Sequence, residues 1–346
     1  MIRERLGKAW LTAAYRGDRW LLVLRPLEWL YRHLLARRTR AYRLGQRTVW
    51  QPTVPLIVVG NITLGGTGKS PLVAWLATWL QARGWHPGIV TRGYGGRGAV
   101  YPLRVTAETP VRESGDEPRM LHDRTGLPLV ADPERPRGAR RLIDEGCDIL
   151  ISDDGLQHLA LGRDIELVVV DGRRGWGNSR CLPAGPLREP LSRLDDVDAV
   201  LINGEPAFTP PRGAHCMTLA PAGWRPLGGT ARVALRPLPF TGPVHAVAGI
   251  GNPERFFATL SELGVEIVAH AFTDHHAFRQ ADLVFDDDRP VVMTAKDAVK
   301  CCGLALGDAW VLEVEAVPDA GFQGWFEERI QGFRPPPAAS GDAVGR

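Results

Sequence analysis

The 346-residue chain is short of cysteine and of long apolar runs. Its five cysteines, Cys147, Cys181, Cys216, Cys301 and Cys302, form no CxxC pair. An odd, scattered set of thiols fits a reducing compartment and not a disulfide framework. The longest uncharged apolar run near the N-terminus is Trp20 to Leu24, far too short to cross a bilayer. Charges interrupt the N-terminal region throughout, so no secretory signal is expected. No internal repeat is present, and composition is not extreme. Hydrophobic residues at 44% and charged residues at 23% exclude wholesale disorder, and the length suffices for two ordinary domains with their own cores.

Charge is present in balance but unevenly placed. Residues 1–47 hold twelve Lys/Arg against three Asp/Glu, a net +9, while the other 299 residues hold 30 against 36, a net −6. Trp10, Tyr15, Trp20, Trp29 and Tyr31 are interleaved with these arginines. From Pro26 onward Leu27, Leu30, Tyr31, Leu34 and Leu35 recur at spacings of three and four, the pattern of a helix with one apolar stripe. A basic, tryptophan-bearing amphipathic helix suits the membrane interface, where rings sit among headgroups and arginines meet anionic lipid. Docking of the stripe on the protein's own core is the competing reading. A nucleic-acid arm is disfavoured, because phosphate contact does not call for so much apolar surface.

Beyond the arm, short apolar runs alternate with helical patterns, the signature of a parallel sheet covered by helices. Strands are expected at 55–59, 89–91, 148–152 and 165–170, with a helix from Lys69 to about Gly84. Proline and glycine become dense around 205–240, which marks a linker between domains. A second α/β unit follows, with strands at 244–249, 290–294 and 310–314 and a helix over 254–263. The expected architecture is a membrane-associating arm (1–47), a P-loop NTPase-type parallel sheet domain (48–225), a linker (226–240), a smaller C-terminal α/β domain (241–334) and a disordered tail (335–346).

The most specific stretch is GNITLGGTGKSP, residues 60–71. Phosphate binding needs inward-turned backbone N–H groups, which glycine permits, then a helix N-terminus, a lysine and a hydroxyl for Mg²⁺. The loop from Thr63 and Leu64 through Gly65, Gly66, Thr67 and Gly68 to Lys69 and Ser70 supplies all of these between an expected strand and helix. The usual spacing asks for glycine where Thr63 stands. Asp153 and Asp154 end the 148–152 strand, where a carboxylate can hold the Mg²⁺ that bridges terminal phosphates; the sequence leaves open which one touches the metal. Residues 171–190 are too rich in Gly, Pro and Arg for a strand or helix and read as a long ordered loop. Its Arg173, Arg174, Arg180 and Arg188 either neutralise phosphates or are simply solvated. SGDEP (114–118) reads as a turn or helix cap, and the FTDHHAF histidines (272–278) lack partner ligands at metal-binding spacing. Lys296 and Asp297 either cap a helix or reach the nucleotide pocket.

Together these stretches resemble the tetraacyldisaccharide 4′-kinase family of lipid A biosynthesis. The resemblance rests on GNITLGGTGKSP, TRGYGG (91–96), SGDEP, SDDGLQH (152–158), VVVDGRRGWGN (168–178), LPAGPLREP (182–190), GIGNPERF (249–256), FTDHHAF and MTAKDAVKC (293–301), in the family's order over residues 50–301. It implies a peripheral kinase on the cytoplasmic face of the inner membrane, using ATP and Mg²⁺ to phosphorylate the 4′-hydroxyl of a tetraacyldisaccharide 1-phosphate lipid. By motif it implies Asp116 as the general base, His275 as its partner, and Ser70, Asp153, Asp154 and Glu189 around the metal. Gln157 and Arg188 line the same site. Thr63 ceases to be a defect, since the family shares this spacing. Two alternatives stand beside it: a soluble P-loop kinase for a small metabolite, and a membrane-recruited ATPase switch.

Overall fold

The computed structural model of the protein describes residues 2–301 and 303–333. The tail expected to be disordered, 335–346, lies outside the described residues. Helices α1 (Ile2–Arg16) and α2 (Arg25–Arg43) form the arm. Then come β1 (Leu56–Gly60), α3 (Lys69–Gln81), β2 (Pro87–Thr91), β3 (Leu103–Arg104), α4 (Val111–Ser114), α5 (Asp116–Thr125), β4 (Leu129–Ala131), α6 (Arg135–Asp144), β5 (Ile149–Asp153), β6 (Ile165–Asp171), β7 (Ala199–Asn203) and β8 (His215–Pro226). A second run follows with β9 (Val244–Ala248), α7 (Pro253–Glu262), β10 (Ile267–Ala271), β11 (Val291–Thr294), α8 (Ala295–Ala298), β12 (Ala309–Pro318) and α9 (Ala320–Gln331).

All twelve strands join one sheet in the order β10-β9-β11-β12-β8-β7-β6-β1-β5-β2-β4-β3. Strand β1 lies between β5 and β6, parallel to both, and is buried along its length. Such a strand must be apolar on both faces. Ile57 and Val59 pack into one core with α3, while Leu56 and Val58 pack into the other with Ala139 and Leu142 of α6. The Pro/Gly density at 205–240 conceals β8, which pairs antiparallel with β12 through a bulge at Glu313/Val314. That long pair carries the sheet from the first parallel set into the second. The second unit builds its own cores around Trp224, Val244, Ala246 and Phe257 and around Val247, Met293 and Val311. Helix α9 returns to the first unit, where Phe322 and Phe326 pack against Trp75 of α3.

The arm's apolar stripe divides in two. Glu28 is buried and Tyr31, Leu35 and Arg38 are half-buried on the inner line, whereas Leu27, Leu30 and Leu34 are exposed on the outer one. A spacing of three and four serves both lines, because neighbouring positions on a helix surface sit only about one residue apart in rotation. Trp20, Leu22 and Val23 extend the exposed apolar line. No helix among the described residues is long and apolar enough to cross a membrane.

Candidate active site

Most chemistry-bearing stretches follow the carboxyl end of a strand with parallel neighbours, the place where open α/β sheets bind ligands; SGDEP instead joins α4 to α5. Strand β1 leads to the glycine loop, β2 to TRGYGG and β5 to the aspartate pair, and β6 leads to the 171–190 loop. From the second unit β9 leads to 249–252, β10 to FTDHHAF and β11 to Lys296. The two sets meet: a Cβ added at Gly251 would lie 3.7 Å from the Gly66 amide nitrogen and 3.5 Å from the Asp274 carboxylate.

In the glycine loop, Thr63 is buried and bridged antiparallel to Leu187, and the Leu64 amide donates to the Pro186 carbonyl at 2.9 Å. Thr63 and Leu64 therefore brace the loop against LPAGPLREP, a role that a glycine would fill poorly. Gly68 has φ +96°, and a side chain there would collide with Asn203; only glycine takes this turn without strain. Helix α3 starts at Lys69, so its free N–H groups face the loop. Lys69 Nζ stands 3.5 Å from Asp154 Oδ1. Among the arginines of the long loop, Arg174 Nη2 donates to the Gly66 carbonyl and Arg188 Nη1 donates to both Asp154 oxygens at 3.2 and 3.1 Å. Arg180 pairs with Glu28, and Arg173 is exposed.

The two aspartates have opposite surroundings. Burial tends to raise Asp154, but Lys69 and Arg188 outweigh it and bring its carboxyl down to about 2. It holds φ +48°, a strained conformation of the sort found where side-chain aim is dictated by function. Asp153 is fully buried, and burial, with Glu117 and Asp154 nearby, pushes its carboxyl upward. Its Oδ1 has no hydrogen-bond partner. A buried carboxylate oxygen left without a partner is costly, and a divalent cation would supply the missing charge. Among the described residues no three His, Cys, Asp or Glu side chains form a protein-only cage. Phosphate oxygens and water would thus complete the shell, as they do for magnesium. The residues present fit a magnesium nucleotide. Glu189 is buried and accepts from Gln157 Nε2 at 2.6 Å, with Arg193 Nε 3.4 Å away. Gln157 links it to Arg188, whose Nη1 lies 3.5 Å from Gln157 Oε1.

The two residues implied as base and partner lie 159 positions apart and are in contact. His275 Nδ1 donates to Asp116 Oδ2 at 2.9 Å. Burial pushes the Asp116 carboxyl up, but the His275 hydrogen bond and the charges of Lys296, His275 and Lys300 pull it below the ordinary range. The same hydrogen bond raises His275, whose φ of +59° aims the ring across the seam. Asp116 opens α5 immediately after Gly115, at φ +89°. A side chain at Gly115 would strike the Tyr94 carbonyl, so TRGYGG packs directly behind Asp116. The Tyr94 ring stands 5.6 Å from that of His275.

The family model for LpxK, tetraacyldisaccharide-1-P 4′-kinase, matches residues 20–331. The chain belongs to this family. A tetraacyldisaccharide 4′-kinase of Pseudomonas paraeruginosa is 47% identical over 329 residues, covering 95% of this chain and 97% of the relative. One from Alkalilimnicola ehrlichii is 53% identical over 298 residues, covering 86% and 88%. The crystal structure of LpxK from Aquifex aeolicus in complex with ATP superposes with a TM-score of 0.77 at 24% identity, covering 90% of this chain and 98% of that one. It shares the fold: a P-loop NTPase-type sheet, a smaller α/β unit and a helical arm. Most of the motifs that signalled the family are the strand ends just described; SGDEP lies at the start of α5. Sequence reasoning did not place Lys296, Glu117 or Tyr94 beside the base; a lysine directly after a strand end was the one available signal.

Proposed function

We infer that the protein performs its family's reaction, transferring the γ-phosphoryl group of ATP to the 4′-hydroxyl of a tetraacyldisaccharide 1-phosphate lipid. We propose that Asp116, paired with His275, is the base. The observation that carries this is the Asp116–His275 contact opposite the glycine loop. In this reading the loop amides, Lys69 and Ser70 hold the phosphates, while Ser70, Asp153, Asp154 and Glu189 surround the metal. A Mg²⁺ ion held by these side chains would supply positive charge against the terminal phosphates. Asp116 Oδ takes the proton of the 4′-hydroxyl as the new O–P bond forms, and ADP leaves with the electrons of the broken bond. Phosphoryl transfer asks a protein mainly for positioning and charge neutralisation, and proton removal late in the reaction suits a carboxylate of ordinary or lowered basicity. Incubation with ATP, Mg²⁺ and the disaccharide 1-phosphate lipid should yield a bisphosphate lipid. ATP hydrolysis with no such product would sink the reading in favour of an ATPase switch.

The arm is proposed to lie on the cytoplasmic face of the inner membrane and to present the lipid. Its inner line is tied to site residues: Tyr31 Oη donates to the Arg188 carbonyl at 2.6 Å, and Arg38 Nη2 to the Gln157 carbonyl at 3.0 Å. Its outer line, Trp20, Val23, Leu27, Leu30 and Leu34, is exposed beside exposed arginines. Between α2 and residues 180–196 lies a cleft of about 860 Å³ in which six arginines face Glu28, Glu189 and Asp196, leaving a net positive lining suited to an anionic lipid. The division into arm, P-loop unit, 226–240 connection and smaller unit belongs to this proposal. Leu30→Glu with Leu34→Glu should cut binding to phosphatidylglycerol vesicles at least about tenfold, since burying each leucine is worth roughly 1.5–3 kcal/mol. ATP binding should be unchanged. Equal sedimentation of the variant and the parent with vesicles would remove the arm's role.

A further inference from the structure

Lys296 occupies a position that the reaction as described does not use. It follows β11, and its side chain is only 16% exposed. Its ammonium stands 3.1 Å from Glu117 Oε1 and 3.3 Å from Asp274 Oδ1. It also stands 3.9 Å from Asp116 Oδ2 and 3.4 Å from His275 Nε2. Glu117 and Asp116 belong to α5 in the first unit; Asp274, His275 and Lys296 belong to the second. One cation thus meets three carboxylates and an imidazole drawn from both sides of the seam. Burial works against the charge, but Glu117, Asp116 and Asp274 outweigh it and keep the ammonium above the usual lysine range.

This placement has a chemical consequence for the dyad. An ammonium has only donors, so a proton on His275 Nε2 would face the Lys296 charge head-on. The lone pair is therefore favoured on Nε2 and the hydrogen on Nδ1, where Asp116 receives it. We propose that Lys296 is a positioning residue for phosphoryl transfer: it fixes the tautomer of His275, keeps Asp116 ionised, and ties the two units together at the base. The inference rests on the reading of Asp116 and His275 as the base pair.

The groups facing the dyad set the sign of the pH effect. Lys296 lowers both Asp116 and His275 by its charge; Asp274 raises His275, and Lys300, bound to Asp297 at 2.6 Å, adds a smaller lowering of Asp116. Without Lys296 both dyad groups hold their protons to higher pH. The acid limb of kcat/KM should then move upward, because an ionised Asp116 and a neutral His275 are needed together.

The test compares Lys296→Met, Lys296→Arg and Asp116→Asn in the full chain, with the disaccharide lipid and ATP. Lys296→Met should lower kcat about 10–100-fold, the range seen when an outer partner of a functional histidine at a metal site is removed. It should also shift the acid limb to higher pH and leave KM for ATP within about twofold. Lys296→Arg, which keeps the charge, should restore the position of the limb. Binding of a fluorescent ATP analogue reports folding. If Lys296→Met does not fold, Lys296→Gln read against Lys296→Arg carries the same comparison. Should Asp116→Asn abolish transfer while loss of the Lys296 charge leaves both kcat and the limb in place, this inference falls alone. Should Asp116→Asn retain transfer, the dyad reading falls and takes the inference with it.

Discussion

Asp116→Asn should cut transfer to the lipid by about 10²–10⁴-fold while ATP still binds. Asparagine keeps the size of the side chain and an oxygen to accept from His275 Nδ1, so the seam should stay closed. What it loses is the ability to take a proton. General-base assistance is worth about 10²–10⁴-fold, and the fall in kcat should lie in that range, with little change in KM for ATP. Asp116 is almost fully buried, and among the described residues the side chains at hydrogen-bond or ion-pair distance from it are His275 and Lys296. The neighbouring carboxylates, Glu117 and Asp274, are both held by Lys296. Steady-state turnover and titration with an ATP analogue check both halves. Turnover near the parent's level would end the assignment of Asp116 as base.

The second large effect has opposite signs for stability and activity. Asp153 is buried, carries a carboxylate oxygen without a partner, and lies near the negative charges of Glu117 and Asp154. In the metal-free fold its ionisation is disfavoured. A carboxyl raised in this way contributes stability that is complete below the ordinary aspartate range and is lost as pH rises through the raised value. At pH 8 without Mg²⁺ or nucleotide, Asp153→Asn should therefore melt about 1–2 °C higher than the parent, the shift that about 1 kcal/mol produces in a protein of this size. With Mg²⁺ and ATP the order should reverse, because the variant lacks the carboxylate that binding satisfies. Turnover should drop by about 10²–10³-fold, the usual result of deleting one preorganised charge-stabilising group. Melting curves with and without Mg²⁺–ATP read both signs. A variant that melts lower than the parent without ligand, or turns over like it, contradicts this account of the site.

A common physical circumstance underlies both predictions. The second unit places Asp274, His275 and Lys296 against the first, and Gly251 reaches the glycine loop. On the proposed assignment the base is assembled across the seam, while Lys69, Ser70 and the aspartate pair belong to the first unit. Changes at Asp116 or Lys296 are expected to act on the acceptor side, and changes at Lys69 or Asp153 on the donor side. The arm reaches the donor side, where Tyr31 and Arg38 hold the backbone of Arg188 and Gln157.

The sequence by itself determined what is local along the chain. A strand, a glycine turn and a helix beginning Lys69-Ser70 need only about twenty consecutive residues, and their phosphate chemistry follows from backbone conformation at Gly65 and Gly68. The aspartate pair at the end of β5 and the family motifs were legible for the same reason. Periodicity was enough to show that residues 26–35 form an amphipathic helix. It was not enough to show which part of the stripe faces inward, since that depends on Glu28 and Tyr31 meeting Cys181 and Arg188 more than 150 positions away. The strand β8 escaped notice because its partner β12 lies some 90 residues downstream, and pairing overrode the local bias of Pro221 and Gly223. Tertiary structure alone distinguished Asp154, compensated by Lys69 and Arg188, from Asp153, where burial outweighs Lys69 and Arg135. It also brought Lys296 to Glu117 across 179 positions. Contacts of that range are made by burial and the closing of the two units, and no spacing along the chain encodes them.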